Sequence, residues 1–123
     1  MKHLILGSLA LGFTLAACTN DKMESTTPVA NCDTAGVTYA SFIRPFTNQH
    51  CAISGCHVAG GANSGNIDLS TYQGLKAVAD NGSLLGSLRG TPGYALMPLN
   101  APKLDDCTIA KYAKWVADGA PEN

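Results

Sequence analysis

The feature that most constrains this chain is the segment 51–57, which holds two thiols and an imidazole. Its spacing is C-x-x-x-x-C-H, with the histidine directly after the second cysteine. A thiol can form a thioether bond, and an imidazole nitrogen can bind a metal ion. Three such groups so close together predict a segment that holds a cofactor covalently and supplies one ligand to its metal.

The spacing is close to C-x-x-C-H, the motif that attaches c-type haem. In that interpretation Cys51 and Cys56 form thioethers to the two vinyl groups of one haem c, and His57 binds its iron. The segment has two more residues between the cysteines than the usual motif. We expect Ser54 and Gly55 to bulge outward and absorb them. Whether both thioethers form with this spacing stays open.

A second iron ligand is needed, because the porphyrin and one histidine leave a single coordination position. Of the methionines, Met1 and Met23 lie in the N-terminal segment, and Met97 lies inside the expected folded region. Pro98 follows Met97; it fixes φ and lacks a backbone N–H, which favours a stiff, non-helical loop. We therefore predict Met97 as the second axial ligand. The alternative is a core methionine that fills a gap.

The N-terminal segment has the features of an export signal. Residues 4–17 are almost wholly apolar but shorter than the about 20 residues of a membrane span, which predicts a signal peptide over residues 1–17. Leu-Ala-Ala-Cys at 15–18 resembles the bacterial lipobox, which implies that Cys18 is lipidated. An ordinary cysteine near a cleavage site is the alternative. Residues 18–30 predict a flexible tether, and residues 31–123 a single domain.

Charge limits the partners. The chain has 8 Lys and Arg against 9 Asp and Glu, a formal net charge of −1. This balance provides no basic surface for nucleic acid. It also provides no polybasic patch for anionic lipid, so acyl chains on the cysteine would anchor the protein to a membrane, facing the periplasm or the cell surface.

The remaining cysteines predict a disulfide. With Cys18 assigned to lipid and Cys51 and Cys56 to haem, Cys32 and Cys107 are left as a pair in an exported protein. A bridge between them would close a loop of about 75 residues, worth about 4–5 kcal/mol through the entropy of the unfolded chain. The alternative is that both thiols stay reduced.

Apolar residues recur at helical spacing in several stretches, and no segment alternates with period two. Pro45 predicts a kink or an early end in the first helix, and Ser70 is the predicted N-cap of the second. The Gly- and Pro-rich residues 89–103 predict a long loop that holds the axial methionine. The predicted helices cover 38–49, 71–80, 83–88 and a last stretch from Asp105 or Asp106 to Gly119.

Residues 32–121 resemble the small class I cytochrome c domains of bacterial lipoproteins. The resemblance depends on six features in chain order: Tyr39 with Pro45, the segment 51–57, Asp-Leu-Ser-Thr-Tyr at 68–72, Met97-Pro98, Lys103-Leu104, and Trp-Val-Ala-Asp-Gly-Ala-Pro at 115–121. It implies an all-α, small cytochrome c-like fold with three to five helices around one covalent haem. It also matches Cys51 and Cys56 to the thioether cysteines, His57 to the proximal ligand and Met97 to the distal one.

The function expected from these features is electron transfer by a mono-haem carrier that is not an enzyme. We expect a monomer that exchanges electrons with redox proteins at the membrane. Two alternatives stay open. One is a haem enzyme or gas sensor with a labile distal position. The other is a haem-free binding lipoprotein in which Cys51 and Cys56 form a small disulfide.

Overall fold

The computed structural model describes residues 31–62 and 64–123, which form helices and loops with no β-strand among them. A π-helical turn, Tyr39–Ile43, continues directly into α1, Arg44–His50; α2 is Tyr72–Asp80, α3 is Ser83–Arg89 and α4 is Asp106–Ala117. The predicted all-α class is confirmed. The predicted signal peptide, the tether and the lipidation of Cys18 lie outside the described residues. Within the described ranges no helix is long and apolar enough to cross a membrane.

The first helical segment begins at Thr38 with a reciprocal cap. The Thr38 hydroxyl accepts the backbone N–H of Ser41, and the Ser41 hydroxyl accepts that of Thr38. Pro45 does not end the helix early, so of the two expected outcomes, a kink or an early end, the early end was wrong. The π-helical turn comes before it, and Pro45 falls in the first turn of α1, where a missing N–H removes no α-helical hydrogen bond.

Aromatic rings join the first helical segment to α4. The Tyr39 ring stacks on Trp115 with centroids 6.0 Å apart, and it meets the Tyr72 ring edge-on at 5.1 Å. Beneath them, the Thr47 and Tyr112 hydroxyls are 2.7 Å apart in the buried core. The last helix therefore packs against the first helical segment through aromatic rings and one buried hydroxyl pair.

A disulfide ties the start of the domain to α4. Cys32 and Cys107 are bonded, with their Cα atoms 5.3 Å apart and a sequence separation of 75. The predicted pairing is therefore confirmed. The same end of α4 is capped by Asp105, whose carboxylate accepts the N–H of Thr108 at 2.9 Å and its hydroxyl at 2.7 Å.

The start of α2 differs by one residue from the prediction. Thr71, not Ser70, is the N-cap, and its hydroxyl accepts the Gly74 N–H at 3.1 Å. Ser70 is unavailable for this role because its own N–H and hydroxyl both donate to Asp68 Oδ1. The Asx turn at Asp68 thus shifts the cap along the chain.

The segment after α4 closes the aromatic side of the core. The Trp115 indole N–H donates to the Pro121 carbonyl at 2.9 Å, and the Tyr72 hydroxyl donates to the Ala120 carbonyl at the same distance. Each ring therefore buries its apolar body and satisfies its polar atom. No buried side-chain nitrogen or oxygen in the described part of the chain lacks a hydrogen-bond partner.

Candidate cofactor site

A cavity of about 390 Å³ lies among the segment 50–57, α2, α3 and the loop that follows α3. Its volume is in the range of cofactor and small-molecule sites. Cys51, Cys56, His57 and Met97 all border it, although Met97 comes from a distant part of the chain. The remaining lining is mainly aliphatic, from Ile67, Leu69, Val78, Leu84, Leu88 and Leu104.

Cys51 is the first residue after α1. Its N–H and that of Ala52 both donate to the Thr47 carbonyl at 2.8 Å, which ends the helix and turns the chain. Burial, with a smaller contribution from the Cys56 thiol, raises the pKa of the Cys51 thiol to about 11. Both thiols are free, and they are not bonded to each other. Two free thiols therefore border the same cavity, and the Cys51 thiol is protonated at neutral pH.

A tight turn absorbs the extra residues between the two cysteines. The Cys56 N–H donates to the Ile53 carbonyl at 2.9 Å, and Gly55 has φ 80°. A type II turn needs this left-handed φ at its third position, where glycine is unstrained. Ser54 and Gly55 are the central residues of the turn, so the predicted bulge is confirmed. It leaves both cysteines at the cavity despite the four-residue spacing.

His57 is held on both its ring and its backbone. Its Nδ1 is 3.3 Å from the carbonyl oxygen of Ile67. A carbonyl can only accept, so we assign the proton to Nδ1, which leaves the Nε2 lone pair for a metal. The His57 carbonyl accepts the Leu69 N–H at 2.9 Å, and its N–H donates to the Cys51 carbonyl at 3.1 Å. The imidazole is thus oriented in advance as a one-nitrogen ligand.

Met97 lies in the long loop that the sequence predicted, and this loop is attached to α3. The Met97 N–H donates to the Ser87 carbonyl at 3.1 Å, and the Thr91 N–H donates to the Gly86 carbonyl at 2.9 Å. The Tyr94 ring packs on Gly86 at a place where a Cβ would overlap it. Three contacts therefore fix the path of the loop that brings the methionine to the cavity.

The mouth of the cavity is apolar and open to solvent. Ile53 and Leu99 both border the cavity, and they are 41 % and 51 % exposed. His50 is exposed and also borders the cavity. Its ring packs on Phe46 with centroids 4.3 Å apart. The mouth therefore carries two exposed aliphatic side chains and an exposed imidazole.

The site suits a cofactor that brings most of the metal ligands itself. In the described ranges no three His, Cys, Asp or Glu side chains are grouped to hold a metal ion. A haem iron needs only one protein ligand on each side, because the porphyrin supplies the others. The donor set here, one imidazole and one thioether beside two free thiols, fits that requirement.

Comparisons with protein-family models, with curated proteins and with solved structures found no match to this chain. The fit to haem therefore depends on the site itself.

The sequence did not indicate the carbonyl of Ile67 or the polar lining residues Ser83, Ser87 and Asn100. A backbone carbonyl has no sequence signal. The aliphatic lining of α2 and α3 was visible only as apolar helical periodicity.

Proposed function

We propose that this chain is a mono-haem c-type cytochrome with a small cytochrome c-like fold, an exported electron carrier anchored by lipid on Cys18. One observation carries the proposal. Cys51, Cys56 and His57 border the same aliphatic cavity as Met97, which reaches it from a loop of its own. These are the residues that a covalent haem with one nitrogen and one sulfur ligand requires.

Each residue has a separate task in this proposal. Cys51 and Cys56 would hold the haem through thioethers, and His57 Nε2 and Met97 Sδ would bind its iron. When bound, haem c would supply one-electron transfer between ferric and ferrous iron. With both axial positions filled by protein, no position is left for a substrate. The aliphatic lining and the methionine ligand both favour the less charged ferrous state and raise the potential.

The mouth of the cavity is where electrons would leave. Ile53 and Leu99 give it exposed apolar surface, on which a redox protein at the membrane could dock. The tether at 18–30 would keep the domain close to that partner. The chain's contribution is to position the haem and tune it rather than to transform a substrate.

The haem-free alternative has less support. It requires a disulfide between Cys51 and Cys56, and these thiols are free, whereas Cys32 and Cys107 are bonded. The sensor alternative requires a labile distal position. The backbone bond from Met97 to Ser87 anchors the residue that would fill that position.

Haem staining of a denaturing gel tests the proposal. The full-length protein should keep its stain after denaturation, because thioether-bound haem survives, and the Cys51→Ala/Cys56→Ala variant should lose it. The two single cysteine variants would report whether both thioethers form. A wild-type chain with no stain would overturn the proposal and favour the haem-free alternative.

A spectrum then tests the axial ligands. The oxidised wild type should show the near-infrared charge-transfer band of methionine-bound iron. Met97→Ala should lose that band and have a lower midpoint potential. Met23→Ala, outside the predicted domain, is the matched control and should retain both. A high-spin wild-type spectrum would contradict ligation by Met97 and favour the sensor.

A further inference from the structure

We propose that Ser64 is a positioning residue for the axial histidine: through the loop it anchors, it sets the strength of the hydrogen bond at His57 Nδ1. The inference depends on the proposed function, since His57 is taken to bind iron. It concerns a residue that touches neither the metal nor the cavity, so its role must pass through the backbone.

Ser64 is a buried residue in the loop between Gly61 and Ile67. Only 5 % of it is exposed, and its hydroxyl has two partners. The hydroxyl donates to the Gly61 carbonyl at 2.8 Å and accepts the Asn66 N–H at 3.2 Å. The buried hydroxyl therefore uses its donor and an acceptor site to join the carbonyl of Gly61 to the N–H of Asn66.

The loop leads directly to the histidine. The Ser64 carbonyl accepts the Ile67 N–H at 2.9 Å, and the carbonyl of Ile67 itself faces His57 Nδ1 at 3.3 Å. A shift of the loop at Ser64 therefore moves the peptide that accepts the histidine proton. The 3.3 Å distance is long for such a bond, so small shifts would change its strength.

The loop also packs against the backbone of the motif at its other end. The Gly61 N–H donates to the Val58 carbonyl at 2.9 Å. A Cβ on Gly61 would overlap the carbonyl oxygen of Cys56, so the two backbones touch there. The loop is thus held to the haem-binding segment at Gly61 and at Ile67, with Ser64 between them.

The chemical consequence is a change in the electron donation of His57. A stronger Nδ1–H···O=C bond makes Nε2 a more basic ligand, which stabilises ferric iron. Loss of the Ser64 hydroxyl should loosen the acceptor, weaken this bond and favour ferrous iron. The expected sign is therefore a higher midpoint potential.

The test uses the haem-loaded protein and the variant Ser64→Ala. We expect the His57 Nδ1 proton to exchange about fivefold faster by NMR, the factor for one lost hydrogen bond, and the midpoint potential to shift upward. Ser64→Thr keeps the hydroxyl and should restore both values. Ser70→Ala is the matched control: it removes a nearby exposed hydroxyl bonded to Asp68, and neither value should change.

A Ser64→Ala variant with wild-type proton exchange and potential, changed only in its free energy of unfolding, would overturn the inference while haem binding stands. If Ser64→Ala does not fold, hydrogen exchange in the wild-type protein tests the inference instead. The amides of Asn66 and Ile67 and the His57 Nδ1 proton should then exchange with one denaturant dependence, and independent exchange would overturn the inference. A wild type without covalent haem would overturn the proposed function as well.

Discussion

Aromatic rings fill the core beside α4, whereas aliphatic side chains beside α3 line a cavity. Trp115 and Tyr112 are each 1 % exposed and pack against rings from the first helical segment. On the other side, Leu84 and Leu88 are buried but border open space. No Phe, Tyr or Trp borders the cavity in the described part of the chain.

The difference separates what holds the domain together from what gives it a ligand site. The aromatic side is closed by its own contacts: stacked rings, satisfied polar atoms and the disulfide. The cavity side offers its surface to a ligand. We therefore expect changes on the aromatic side to lower stability equally with and without haem, and changes on the cavity side to act mainly through haem binding.

The largest expected effect comes from the disulfide. Replacing both partners, Cys32→Ala/Cys107→Ala, frees a loop of 75 residues in the unfolded chain. We expect the free energy of unfolding to fall by about 4–5 kcal/mol in haem-loaded and haem-free protein alike. Urea denaturation of both forms measures it.

The matched control is Cys51→Ala/Cys56→Ala. Without haem it should cost about 1 kcal/mol or less, because it removes two free thiols and no cross-link. If the two double variants lose equal amounts of unfolding free energy, the aromatic side and the cavity side do not differ in the way proposed.

Next in size is the buried hydroxyl pair. Tyr112→Phe leaves the Thr47 hydroxyl without a partner in a buried place, which should cost about 1–3 kcal/mol. Thr47→Val should cost a similar amount for the same reason. The combined variant should cost clearly less than the sum of the two, since neither polar atom then remains.

Urea denaturation of the four proteins gives the coupling free energy. Tyr94→Phe, which changes an exposed tyrosine, should lie within about 0.5 kcal/mol of the wild type. Strict additivity of the two core substitutions would show that the hydroxyls do not stabilise each other.

Two glycines on the cavity side should respond unequally to alanine. A Cβ at Gly61 overlaps the backbone oxygen of Cys56, which cannot move away without moving the motif. At Gly86 it overlaps the ring of Tyr94 as far as its Cγ, but this exposed side chain can swing to another χ1 rotamer, and alanine favours the helix. We expect Gly61→Ala to cost about 1–3 kcal/mol and Gly86→Ala less.

Thermal unfolding compares the stability of the two glycine variants, and haem staining per polypeptide chain compares their haem uptake. Gly61→Ala should also take up less haem, because its clash lies at Cys56, one of the two proposed thioether cysteines. Equal uptake and stability in both variants would contradict the close backbone contact at Gly61.

The elements that sequence reasoning identified are those encoded in side chains. The spacing of Tyr39 and Ile43 and the apolar face of α4 follow the helical period, so they were predictable. The pairing of Cys32 with Cys107 followed from counting cysteines in a chain that was predicted to be exported. The turn at Ser54 and Gly55 was predictable because the two extra residues between the cysteines need a tight turn, and glycine tolerates one.

What sequence reasoning missed depends on the backbone path. The acceptor of His57 is a carbonyl, and every residue has one, so Ile67 carried no signal. Ser64 was hidden for the same reason, as its partners are backbone atoms. Pro45 suggested an early end because apolar periodicity does not show the π-helical turn that precedes it. The cap at Thr71 depended on an Asx turn three residues earlier.

The smallest expected effect concerns how the free energy of unfolding falls at acid pH. Thr108 donates two hydrogen bonds to the carboxylate of Asp105, which lowers the pKa of that carboxyl below its ordinary value. The unfolded chain therefore binds the proton more readily than the folded one. The stability from this cap is present above the ordinary pKa of an aspartate and is lost as the pH falls through the lowered value.

Asp105→Asn keeps an N-cap acceptor but cannot titrate, so its unfolding free energy should fall less steeply below about pH 4 than that of the wild type. Asp105→Ala should instead cost about 1 kcal/mol at neutral pH. Urea midpoints across the acid range, with and without haem, measure both. Asp105, the N-cap at the start of α4, does not itself border the cavity, although its neighbour Leu104 does. Its carboxylate is bonded to Thr108, so haem should leave the change in slope unaltered. A slope change that appears only with haem would mean that the two sides of the domain are coupled.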